Sequence, residues 1–238
     1  MTAVFFDMDG TLIDSRADLA ATVNHTRRDL GLAELPQDEI LSHVGHGAKY
    51  LLAHAIPEVS GGGRAEERTS GSSSLPLREG GRAEARPSRD GGLSTLFMSH
   101  YGEHMLEAVT LYPGVEEGLR ELHRRGILLG INTAKPRFAT MAILDHFGLT
   151  GLFGGAIVAG GDCAEMKPSP LPLRQCAGLM RHPLSAGDWM VGDNWTDIKC
   201  ATNAGVKSAF CDYGFGVLSD SVPTVKIGGF SELLEMVI

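Results

Sequence analysis

The chain reads as an α/β protein: a doubly wound parallel sheet with a helical cap domain inserted after the first strand. Three observations predict this. Short apolar runs alternate with helix-length amphipathic segments over most of the sequence. Charged and polar clusters directly follow those runs, the position where open parallel sheets place their sites. Residues 15–108 break the alternation and carry helical periodicity instead.

The candidate strands are "AVFF" (3–6), "GILLGI" (126–131), "AIVAG" (156–160), "WMVG" (189–192) and "KSAFC" (207–211). Such short apolar runs suit strands covered on both faces. "GVEEGLRELHRRG" (114–126) puts Val115, Leu119 and Leu122 on one helical face and ends at a glycine; 137–148 and 196–205 read similarly. Within the insertion, "SRADLAATVNHTRRDLG" (15–31) opens with Ser15 and Asp18 spaced as a capping box and closes at Gly31. Helices are also expected in "GHGAKYLLAHAI" (45–56) and "LSTLFMSHYGEHMLEA" (93–108). The predicted division is therefore a core of residues 1–14 and 109–238 and a cap of 15–108. Inside the cap, residues 61–92 hold six Arg, four Glu and one Asp with almost no large apolar side chain. Such a composition cannot offset its ordering entropy, so a disordered insertion is expected. Its near copies "GGRAEERTS" and "GGRAEARPS" suggest a short tandem duplication.

The formal charge of −8 disfavours a nucleic-acid or anionic-membrane partner and leaves a small anionic metabolite, met by local positive charge, as the expected one. No apolar run nears the roughly 20 residues that span a bilayer, and "MTAVFFD" lacks the marks of a signal peptide, so the cytoplasm is the expected compartment. Cys163, Cys176, Cys200 and Cys211 show no C-x-x-C spacing and read as reduced thiols in or near the core.

The stretch "VFFDMDGTLIDS" (4–15) places Asp7 and Asp9 two positions apart at a strand end, where like charges repel. With Asp193 from "GDNWTD", they could share an oxygen-loving dication such as Mg²⁺. Asp7 is ionised at neutral pH and can attack phosphorus directly, forming an acyl phosphate. Asp9 can protonate the leaving alkoxide and then deprotonate the hydrolytic water. Thr11, Thr133 and Lys167 are candidates for holding the phosphoryl group, and His46 and Lys49 for the rest of the substrate. Asp197 is a candidate support for Lys167 or a first-turn acid of a helix. Lys135 and Arg137 either add positive potential at the mouth of the site or solvate a loop. His100 and His104, at i and i+4 without an H-E-x-x-H pattern, read as a solvated helix face.

At these positions the chain resembles the haloacid dehalogenase superfamily, specifically its phosphoglycolate phosphatase-like members with a helical cap. Four motifs stand in order: "DMDGT", Thr133, Lys167 in "KPSP", and "GDNWTD" with Asp193 and Asp197. The resemblance implies a haloacid dehalogenase-like core and an aspartyl-phosphate phosphomonoesterase. It further implies Mg²⁺ held by Asp7, the backbone carbonyl of Asp9 and the carboxylate of Asp193, and a cap that closes over substrate. "IDSRADLAATVN" and "VGHGAKYLLAHA" look like the cap entry of phosphoglycolate phosphatases, which makes 2-phosphoglycolate the favoured substrate. Ala134 departs from the Asn that members often carry after the motif threonine, and residues 61–92 interrupt the cap. The alternatives are a phosphatase of another sugar or amino-sugar phosphate, a β-phosphoglucomutase-like mutase, and a phosphate-binding or interaction module.

Overall fold

The computed structural model describes residues 1–44, 47–59 and 89–237. Its centre is a six-stranded sheet of β1 (Ala3–Phe6), β4 (Leu128–Pro136), β5 (Ile157–Gly160), β6 (Trp189–Gly192), β7 (Lys207–Cys211) and β8 (Val225–Ile227). The order is β5-β4-β1-β6-β7-β8, with every pairing parallel. Along β1, Val4 and Phe6 enter one apolar cluster while Ala3 and Phe5 enter the other, as period-2 geometry demands of a sheet buried on both faces. Helix α5 (Val115–Arg124) covers the first face through Val115, Leu119 and Leu122, and α6 (Arg137–His146) joins it through Ile143 and Leu144. On the opposite face α7 (Leu171–Leu179) contributes Leu173 and Cys176, and α8 (Trp195–Ala204) contributes Cys200 and Ala201.

The chain leaves and re-enters this core side by side. Two short strands, β2 (Ile13–Asp14) and β3 (Thr110–Leu111), pair antiparallel at the two ends of the inserted helices. Between them run α1 (Arg16–Asp29), α2 (Gln37–Leu41), α3 (Ala48–Ala55) and α4 (Arg89–His104). They bury a third cluster in which Leu19, Val23, Ile40, Leu51, Leu52, Phe97 and Tyr101 meet, joined by Ala139 of α6. Helix α1 ends as expected, with Gly31 N–H on the Arg28 carbonyl and Leu32 N–H on the Arg27 carbonyl, the paired bonds of a Schellman motif.

Several expectations need correction. Ser15 and Asp18 do not form a capping box: the Asp18 carboxylate accepts from Ala108 and Val109 N–H, both at 2.9 Å, and so ties α1 to the segment that leaves the cap. Strand β4 does not stop at Ile131 but continues through "NTAKP", with an irregular register between Asn132 and Pro136. Strand β8 and helix α2 went unpredicted, because three and five residues are too short for a periodicity to declare itself. The low-complexity stretch called for residues 61–92 ends inside α4, which begins at Arg89; the rest of it lies outside the described residues. Cys176, Cys200 and Cys211 are buried free thiols and Cys163 is partly buried, as expected. No helix among the described residues is long and apolar enough to cross a membrane.

Candidate active site

The site is built where β1, β4 and β6 end. Asp7 follows β1 directly, and its N–H donates to the Val191 carbonyl of β6 at 2.9 Å, so the first acid is fixed beside the strand that delivers Asp193. The chain must then turn tightly against that neighbour. Gly10 sits at φ +77°, and a Cβ there would lie 1.8 Å from Asp193 Oδ2. Only glycine combines that conformation with so close an approach. From the far side, Phe215 and Gly216 N–H donate to the same Asp193 oxygen at 3.0 and 2.7 Å, and a Cβ on Gly216 would meet the Asp193 carbonyl oxygen at 2.5 Å. Sequence reasoning missed this "YGFG" loop. Its G-x-G spacing just after the "KSAFC" strand was the available signal.

Carboxylate oxygens of Asp7, Asp193 and Asp197 lie within 4.8 Å of one another, all buried. Burial raises Asp193 well above the usual carboxylate range, and the charges of Asp7 and Asp197 add to the effect. Lys167 answers part of that repulsion: its buried Nζ donates to Asp197 Oδ1 at 2.5 Å and lies 3.0 Å from Asp7 Oδ1. The second contact is an ion pair outside hydrogen-bond geometry, and Asp7 Oδ1 remains a buried acceptor without a hydrogen bond. Burial works against the ammonium, but Asp197 and Asp7 outweigh it and raise the Lys167 pKa. A cluster of hard oxygen donors, one of them orphaned, fits a small divalent cation such as Mg²⁺. Asp197 serves both roles foreseen for it. It holds Lys167, and its other oxygen accepts from Asn194 N–H at 3.1 Å in the capping box that opens α8.

Asp9 is turned elsewhere. Its Oδ1 accepts from Ser15 Oγ at 2.5 Å and from Lys135 Nζ at 2.6 Å, so its carboxylate is not part of the three-acid cluster. Lys135 is neither a solvated loop residue nor a loose charge at the mouth. Its side chain is 1% exposed, and its ammonium lies 5.1 Å from the ring centre of Tyr101, which comes from α4 of the cap. Burial alone would lower the Lys135 pKa, but Asp9 and Tyr101 reverse this and raise it. Burial, in turn, pushes the Tyr101 phenol up to about 12.

A cleft opens over these groups. Asp7, Asp9, Thr133, Ala134, Lys135 and Asp193 form its floor, and cap residues Leu19, Val44, Leu51, Phe97 and Tyr101 face them. The irregular stretch of β4 carries Thr133 into this floor. Thr11 is not brought there: its hydroxyl is fully buried beneath the turn and does not line the cleft. Lys49 is exposed on α3, also away from the lining, and His46 lies outside the described residues. Arg137 points outward to Asp162.

The profile of the family described as "Haloacid dehalogenase-like hydrolase" matches residues 4–211. The phosphoglycolate phosphatase of Vibrio parahaemolyticus is 33% identical over 239 residues, covering 98% of this chain and 95% of the relative. That of Chromobacterium violaceum is likewise 33% identical over 98% of this chain and 95% of its own length. Among solved structures, one described as a "predicted phosphoglycolate phosphatase" from Haemophilus somnus 129PT superposes with a TM-score of 0.81 at 25% identity, covering 100% of this chain and 98% of the other. A haloacid dehalogenase-superfamily hydrolase of Geobacter sulfurreducens PCA shares the fold, with a TM-score of 0.68 at 18% identity over 100% and 97% of the two chains. The match of sequence, sheet and strand-end residues therefore places this chain in the haloacid dehalogenase-like hydrolase family.

Proposed function

We propose that the protein is a Mg²⁺-dependent phosphomonoester hydrolase working through an aspartyl-phosphate on Asp7. The convergence of Asp7, Asp9, Thr133, Lys167 and Asp193 at one sheet edge carries this reading. Asp7, Asp193 and the backbone carbonyl of Asp9 would hold the cation, which when bound draws the phosphate in and offsets its negative charge. An Asp7 carboxylate oxygen attacks phosphorus as the P–O bond to the alkoxide breaks. Asp9 gives that alkoxide its proton. Water then attacks the phosphorus of the intermediate, loses its proton to Asp9, and frees Asp7 and inorganic phosphate. Lys167 balances the charge on the phosphoryl oxygens, and the Thr133 hydroxyl donates to one of them.

The favoured substrate is 2-phosphoglycolate. The relatives named as phosphoglycolate phosphatases support it. Lys49 is not where a carboxylate partner would need to be. Gly47 and Ala48, at the start of α3, do line the cleft, and the opening N–H groups of a helix attract a carboxylate. Phosphate release over a panel of 2-phosphoglycolate, hexose phosphates and p-nitrophenyl phosphate, with and without Mg²⁺, tests the proposal. The highest kcat/KM should fall on 2-phosphoglycolate. A panel won by hexose phosphates would overturn the substrate, and absence of Mg²⁺-dependent release from every ester would overturn the chemistry.

A further inference from the structure

Three imidazoles meet on the cap, away from the cleft. His100 and His104 stand one turn apart on α4, and His25 of α1 packs against both, with ring centres 5.8 and 4.7 Å away. This corrects the expectation of a solvated helix face, since the His100 and His104 side chains are only 18% and 27% exposed. One ring nitrogen from each of the three residues lies within 4.8 Å of the others. Carboxylates hold one nitrogen in each of two rings: His100 Nε2 meets Asp29 Oδ2 at 2.8 Å, and His104 Nδ1 meets Glu107 Oε1 at 2.7 Å. That pairing is the usual outer support of metal-bound histidine, where a carboxylate fixes the ring and strengthens its free nitrogen as a donor. Glu103 adds an oxygen 3.9 Å from His104 Nε2.

Protonation of all three would set like charges against each other, whereas a bound cation draws the same lone pairs together. We propose that His25, His100 and His104 form a cation site for an imidazole-preferring divalent ion such as Zn²⁺, with Glu103 or water as the fourth donor, stapling α1 to α4. None of the three lines the catalytic cleft, so the site is separate from the carboxylate cluster and differs from it in donor chemistry.

Titration of the tag-free, full-length, Mg²⁺-saturated protein with ZnCl₂ by calorimetry tests this. One equivalent should bind, and free Zn²⁺ at about 100 times Kd should raise Tm by roughly 5 to 10 °C. His25→Gln and His104→Ala should each weaken that binding by roughly 100-fold or more, while the metal-free variants melt like the parent. Co²⁺ should give the intense visible bands of a four-coordinate nitrogen-rich site, and these should vanish in His25→Gln. No stoichiometric Zn²⁺ binding, or binding and Co²⁺ bands that persist in His25→Gln, would overturn the site. His25 makes no hydrogen bond among the described residues, so its variant keeps the test valid even if His104→Ala fails to fold.

Discussion

Lys135 restricts where Asp9 can point, and that makes it the residue most worth changing after Asp7. It holds the Asp9 carboxylate while its ammonium lies against the Tyr101 ring, so helix α4 and the position of Asp9 are linked through one side chain. Lys135→Met should lower kcat for an alkyl phosphate by about 10- to 100-fold, the worth of one charge-assisted hydrogen bond. The loss should be much smaller with p-nitrophenyl phosphate, whose leaving group needs little protonation. Steady-state kinetics on both esters checks this, and equal losses would assign Lys135 to folding alone. If Asp7 is the nucleophile as proposed, Asp7→Asn should abolish phosphate release without lowering Tm, because it removes that group and one of three crowded negative charges together.

Two buried aspartates do structural work between elements. Asp18 joins the first turn of α1 to Ala108 and Val109 at the far end of the cap, next to the β2–β3 pair. Asp18→Ala strands two backbone N–H groups and should cost roughly 2 to 4 kcal/mol by denaturant melting. Asp188 accepts from Ala3 N–H, Ser185 N–H and His182, pinning the start of β1 to the turn before β6. Burial would raise its pKa, but these donors outweigh burial and hold it below the usual 3.8. A carboxylate depressed in the folded state contributes stability above its unfolded pKa and loses it as pH falls through the folded value. Tm should therefore drop as pH falls below about 4, and less steeply in Asp188→Asn.

Across the whole molecule, a chain of net charge −8 concentrates three acids beneath one cleft, so cation binding should stabilise the fold as well as enable the reaction. Mg²⁺ should raise Tm and EDTA should reverse the rise, whereas Asp193→Asn should melt at the same temperature with either; differential scanning fluorimetry reads all three. Replacing residues 61–88 by a short Gly/Ser linker should change Tm little, because that composition offers few groups to bury and loop closure depends weakly on length.

Periodicity in the sequence was enough to predict the parallel sheet and the main helices, and the polar clusters at strand ends together with the family resemblance picked out Asp7, Asp9, Thr133, Lys167 and Asp193 as candidates, because strand ends and amphipathic faces are local in sequence. What depends on distant segments meeting was decided only by the tertiary structure. The Ser15–Asp18 spacing was a sound local signal for a capping box, yet Asp18 bonds to a segment 90 residues away. Lys135 read as a charge at the mouth of the site or on a solvated loop until Asp9 and Tyr101 enclosed it, and Thr11 as a phosphate ligand until the turn buried it. His25 drew no notice until α1 packed on α4 and brought it to His100 and His104. A side chain's neighbours across the fold, and hence its charge state and partners, are set by packing, and one-dimensional spacing carries no record of that.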